Sequence, residues 1–163
     1  MKEIIKKTGL DKDYIFNLSK VLMFRRFKPT SLAKLEDARA EYIDSLKGIG
    51  IRNTGMLLHQ CKTPKGRTDI FQSASIPENE LLNILSMADL MRLAGLKSTK
   101  SRLFMNAGIK SLKMLGRQKP EKFRNLLEEI INRTKVVKAV PTPKEMASDI
   151  AWAKLHPVII QGL

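Results

Sequence analysis

The sequence predicts an all-α protein: two tandem units related by internal duplication, followed by a C-terminal helix. Three observations predict it. Apolar residues recur at helical spacing, most plainly Phe123, Leu126, Leu127, Ile130 and Ile131 at i, i+3, i+4, i+7 and i+8. Helix-start and helix-stop residues punctuate the chain, with Pro64, Pro77, Pro120 and Pro143 at starts and Gly50 and Gly108 at stops. The chain also repeats itself. Residues 31–58 slid forward by 58 put Leu32 on Leu90, Leu35 on Leu93, Leu46 on Phe104, Gly50 on Gly108 and Ile51 on Ile109.

The first 22 residues match 67–88 at an offset of 66, with Leu10 on Ile76, Ile15 on Leu81, Asn17 on Asn83 and Leu18 on Ile84. The larger offset implies about eight extra residues in the first copy, assigned to Met23–Thr30 with their Arg25, Arg26, Lys28 and Pro29. The expected organisation is a first unit over 1–62, a second over 63–134, and an extended segment with a C-terminal helix over 135–163.

Taken in order, Asp11 is an N-cap for the first long helix. By the duplication, the first hairpin falls at Asp37-Ala38-Arg39, which has no glycine and whose acid would repel phosphate. Lys47-Gly48-Ile49-Gly50 has two readings. It looks like a hairpin signature with Thr54 as the small crossing residue, and it aligns with the helix stop at Asn106-Ala107-Gly108-Ile109; the alignment favours the stop. Lys62–Arg67 is a turn, with Pro64 starting a helix. Pro77-Glu78 opens the next helix, and the acid suits its positive end.

Asp89–Lys110 is the central stretch. Leu90 and Leu93 lie three apart, as on one helix face, and Gly95 then permits a tight turn. Ser98 is the expected N-cap of a second helix carrying Leu103, Phe104 and Ala107 and ending at Gly108. Ser101 is the small residue expected where the two helices cross. The turn would present free amides at a helix start, which favours an anion. Lys119-Pro120 opens the amphipathic helix named above, and Thr134–Val140 is β-prone but partnerless, so it should wrap along the helices. Thr142-Pro143-Lys144-Glu145 is a capping box for a helix with Met146, Ile150 and Trp152, ended by His156-Pro157. Trp152 could stack a base, but a sole Trp on such a helix is more often a core anchor.

The chain has 163 residues and a formal charge of +14. Its mean hydropathy is −0.20, and no apolar run approaches a membrane span, so a soluble cytoplasmic protein is expected. Cys61, His59 and His156 make no metal-ligand cluster. The charge is uneven. Residues 1–34 are net +6 and residues 89–134 net +7, and between Leu90 and Pro120 lie eight cations and no acid. A polyanion partner follows, against the plainer account of a solvated basic face. The candidate nucleic-acid-binding residues are Arg92, Gly95, Lys97, Ser98, Thr99, Lys100, Arg102, Lys110 and Lys113, with Arg117 widening the patch.

The run Ala88–Leu93, then Gly95, then Asn106-Ala107-Gly108-Ile109 resembles the domain of unknown function 4332 family. Thr63–Arg67, Val140-Pro141 and Trp152-Ala153-Lys154 are also similar to it. The resemblance covers nearly the whole chain, most specifically Thr63 to Leu115. It implies tandem helix-hairpin-helix units and DNA binding, and no established activity comes with the family. Lys97 stands where the motif's second hairpin glycine belongs.

The expected function is therefore nucleic-acid binding without sequence preference, DNA more than RNA, through backbone phosphates at the second hairpin. The alternative is a protein-interaction module docking through the first unit, whose residues 35–62 carry no net charge. No enzyme is expected: the densest acids, Asp37, Glu41 and Asp44, have the spacing of a solvated helix face, and no cofactor-binding, catalytic or metal motif is present.

Overall fold

A computed structural model describes residues 2–25, 27–36, 38–135, 137 and 139–163. The described residues form ten α-helices: α1 (Lys2–Thr8), α2 (Lys12–Arg25), α3 (Ala40–Gly48), α4 (Thr54–Gln60), α5 (Pro64–Ala74), α6 (Glu78–Leu90), α7 (Ser98–Asn106), α8 (Leu112–Gly116), α9 (Pro120–Thr134) and α10 (Pro143–Leu155). A 3-10 turn, Leu32–Lys34, precedes α3. No strand occurs among the described residues, so the chain is all-α.

The punctuation places the helices. Asp11 Oδ1 accepts from the amides of Asp13 (2.8 Å) and Tyr14 (3.1 Å) and opens α2. Thr63 caps α5 by accepting from Gly66 N–H at 3.1 Å. Gly66 has a second constraint, because a Cβ there would run into the Gln60 carbonyl where α4 hands over to α5. Thr142 and Glu145 form the capping box of α10. Accepting from the Thr142 backbone and hydroxyl holds the Glu145 carboxyl below its usual range. This cap is present above the unfolded carboxylate pKa and is lost as pH falls through the lower folded value.

The same backbone bonds recur 58 residues apart. Leu35 N–H donates to Leu32 O at 3.0 Å, as Leu93 N–H does to Leu90 O at 3.1 Å. Ile51 N–H donates to Leu46 O at 2.9 Å, as Ile109 N–H does to Phe104 O at 3.0 Å. Gly50 (φ 90°) and Gly108 (φ 82°) take the left-handed conformation after α3 and α7, so Gly48-Ile49-Gly50 ends a helix.

Apolar side chains gather in two clusters. The first runs from Leu32 to Ala88 and adds Ile160, and the second runs from Leu90 to Ala153. In packing, therefore, the chain divides at Asp89 rather than at residue 62. α5 and α6 share a core with α3 and α4, and α10 closes the second core as α6 closes the first. α4 packs on α6, and α8 on α10. Phe104 and Phe123 meet edge to face at 5.2 Å in the second core. Leu126 of α9 stays 41% exposed, so its apolar stripe is narrower than the spacing suggests. Within Thr134–Val140, Val137 and Val140 pack on the second cluster, while Val136 and Lys138 lie outside the described residues. Trp152 is half-buried against the same cluster.

After α10 the chain turns back. Ile160 is buried in the first core, and Gln161 N–H donates to Lys62 O at 3.0 Å. Residues 156–163 thus strap the second core to the first. At the other end, Leu10, Tyr14, Phe16 and Leu18 are exposed around the start of α2.

Candidate functional site

The Gly95 corner joins the end of α6 to α7. Gly95 has φ 90°, is exposed, and has open space where a Cβ would sit. Leu96 N–H is used within the turn, donating to Leu93 O at 3.1 Å. The corner opens on a cleft of about 720 Å³. Residues 91–98 form one wall, and Phe27, Lys28, Thr30, Ala33, Lys34 and Glu36 form the other.

Several expectations are corrected here. Arg92 is not a surface cation. Its side chain is 7% exposed, and its Nη1 pairs with Asp89 Oδ1 at 2.7 Å. Its Nη2 donates to Pro157 O at 2.9 Å. Asp89 Oδ2 accepts from Leu112 N–H, the first amide of α8, at 2.9 Å. The pair is buried because it ties three segments together: the end of α6, the start of α8 and the C-terminal strap. His156 Nε2 meets Arg92 O at 3.3 Å, so the ring carries its hydrogen there, and burial holds its pKa below the usual range.

Ser98 is not the N-cap. Lys97 holds that position, and its side chain makes no cap bond. Ser98 is buried; its Oγ accepts from Glu36 N–H at 2.9 Å and lies 3.4 Å from Met87 Sδ. Thr99 Oγ1 donates to Glu36 Oε2 at 3.0 Å. An acid of the chain itself thus stands at the start of α7, where the first amides have no partner inside the helix and an anion is favoured. Lys100 is also engaged: its Nζ pairs with Asp149 Oδ2 at 2.6 Å and lies 5.8 Å from the Phe104 ring centroid. It fastens α7 to α10. Ser101 is fully buried on α7.

The remaining candidates do not converge. Lys97 is exposed and lines the cleft. Arg102 and Lys110 line a separate recess of about 390 Å³ with Glu80 and Asn83. Lys113 is exposed beside the strap. In the first unit, Arg39 takes the N-cap position of α3, and Asp37 lies outside the described residues. The cations that do meet Lys97 across the cleft are Lys28 and Lys34, both exposed. Lys28 falls in the segment 23–30 that the sequence comparison of the two halves singles out, a signal in the sequence; nothing local marks Lys34 or Glu36. Cys61 is buried, which pushes its thiol up to about 11 and leaves it a poor nucleophile. Among the described residues no three His, Cys, Asp or Glu side chains group as metal ligands, and no helix is long and apolar enough to cross a membrane.

A family model described as domain of unknown function (DUF4332) matches residues 36–156. The chain belongs to that family. The match takes in α3 to α10, and with them Glu36 and the Gly95 wall of the cleft. The opposite wall from Phe27 to Lys34 precedes the DUF4332 region, so the cleft is shared between the family domain and what comes before it. No curated protein and no solved structure matches the chain.

Proposed function

We propose that the protein binds nucleic acid, DNA by preference, through backbone phosphates and without reading sequence. One observation carries this: the open Gly95 corner faces a cleft rimmed by the exposed lysines 28, 34 and 97. The corner and its helix are read as the second of two tandem helix-hairpin-helix units, a reading supported by the hydrogen bonds and left-handed glycines that recur at 58 residues. Glu36 occupies part of the helix start, so the weight of phosphate binding moves from the α7 amides to the lysines. Lys110 and Lys113 lie off the cleft and would add contacts only where a longer strand runs past it. With three to five phosphates neutralised, log affinity against log salt should slope at about −3 to −4.5 on duplex DNA. Gel-shift titrations at rising salt check this; no binding at low salt, or a flat response, discards it.

A second reading, protein docking, is favoured by the exposed Leu10, Tyr14, Phe16 and Leu18. Recovery of one stoichiometric protein, unchanged by nuclease and lost in Tyr14→Glu, would support docking over nucleic-acid binding.

A further inference from the structure

Resting on the nucleic-acid reading above, we propose that the cleft takes one unstacked nucleotide of a single strand, with its base against Phe27 and its phosphate among Lys28, Lys34 and Lys97. A bare phosphate clamp needs only cations and amides. This cleft has more: Phe27, Met91, Leu93 and Leu96 give it an apolar lining, and its volume of about 720 Å³ is that of a small-molecule site. A duplex keeps its bases stacked inside, so it can reach only the lysine rim. A single strand can turn a base inward, and aromatic side chains are the usual platform for one. Phe27 is half-buried, packs on the first core and lines the cleft, so its ring is held by the fold. Glu36 fits the same picture. A carboxylate is a poor neighbour for phosphate but a good acceptor for the N–H edge of a base.

The two walls also explain the position of the extra residues. Phe27, Lys28 and Thr30 lie within the segment read as extra in the first copy, so on that reading the aromatic side of the cleft has no counterpart in the second. One nucleotide per protein is expected.

The test is fluorescence anisotropy on the full chain. The probes are a labelled oligothymidylate of about 15 nucleotides and a mixed-sequence duplex of the same length. The single strand should bind roughly tenfold tighter than the duplex at equal salt. Phe27→Leu should remove that preference and leave duplex binding in place, and Phe27→Tyr should keep it. If Phe27→Leu melts early, Ala33→Glu serves instead: it puts a charge on an exposed residue of the same wall and should weaken the single strand more than the duplex. Equal affinity for strand and duplex overturns the inference, as does a preference that survives both Phe27→Leu and Ala33→Glu. Thymidine monophosphate is the third probe; if it binds as tightly as the oligonucleotide, the ligand is a free nucleotide and the strand assignment falls. Salt-sensitive duplex binding without a strand preference sinks this inference alone, whereas no binding of either polymer at low salt sinks the underlying function with it.

Discussion

Asp89→Ala should lower the melting temperature by roughly 10 °C, the largest loss expected from any single polar side chain in the fold. The Asp89 carboxylate is 6% exposed and engaged on both oxygens, by Arg92 at 2.7 Å and by the Leu112 amide at 2.9 Å. Removing it leaves a guanidinium buried without its counter-charge and an amide at the start of α8 without its acceptor. Breaking such a pair from one side costs about 3–5 kcal/mol. Replacing both partners with apolar residues of similar size is much milder, so Asp89→Leu with Arg92→Met should recover most of the loss. Thermal unfolding followed by circular dichroism gives both numbers. A shift of under about 2 °C for the single variant would show that the network does not hold the strap and α8 in place. The same geometry separates two meanings of Arg92. As a phosphate contact, its loss would weaken binding and spare stability. As the partner of Asp89, its loss should weaken stability and leave the salt dependence of binding unchanged.

Lys34→Glu combined with Lys97→Glu should weaken duplex binding by roughly a hundredfold at low salt and make the log–log salt slope shallower by about two. The two lysines are exposed, lie on opposite walls of the cleft, and stand in cores that do not depend on them. The variant should therefore fold and melt as the parent does. Lys100→Glu is the contrasting case. Lys100 is paired with Asp149, so its reversal should loosen α7 from α10 and register as lost stability. Glu36→Gln has the opposite sign: removing the acid at the start of α7 should tighten duplex binding roughly two- to fivefold. Equal losses from the Lys34/Lys97 and Lys100 variants, with no gain from Glu36→Gln, would place the phosphates elsewhere.

Much of the fold was legible because its signals are local. A prolyl ring suits a first helical turn, so Pro64, Pro120 and Pro143 open helices at those residues. A glycine tolerates φ > 0, so Gly50 and Gly108 follow helix ends. The site was less legible because charge in a sequence has no address. Arg92 and Lys100 count as cations in any composition, yet each is neutralised by an acid: Asp89, a neighbour in sequence whose pair with Arg92 is buried by packing, and Asp149, brought to Lys100 from a different helix. Ser98 sits where an N-cap is expected, but the helix starts one residue early and its hydroxyl turns to Glu36 and Met87.

The sequence by itself determined the all-helical class, many of the helix ends and the excess of basic charge, because backbone preferences and net charge act within a few residues or over none. Only the tertiary structure decided where the cores divide, that the tail returns to the first core, and which lysines share a cleft. Lys34 and Lys97 are 63 positions apart and meet because the chain before α3 packs against the start of α7, where Ser98 Oγ accepts from Glu36 N–H. No local rule spans that distance; the hydrogen bonds of Glu36 to Ser98 and Thr99 do, between segments that each bury their leucines in a core of their own.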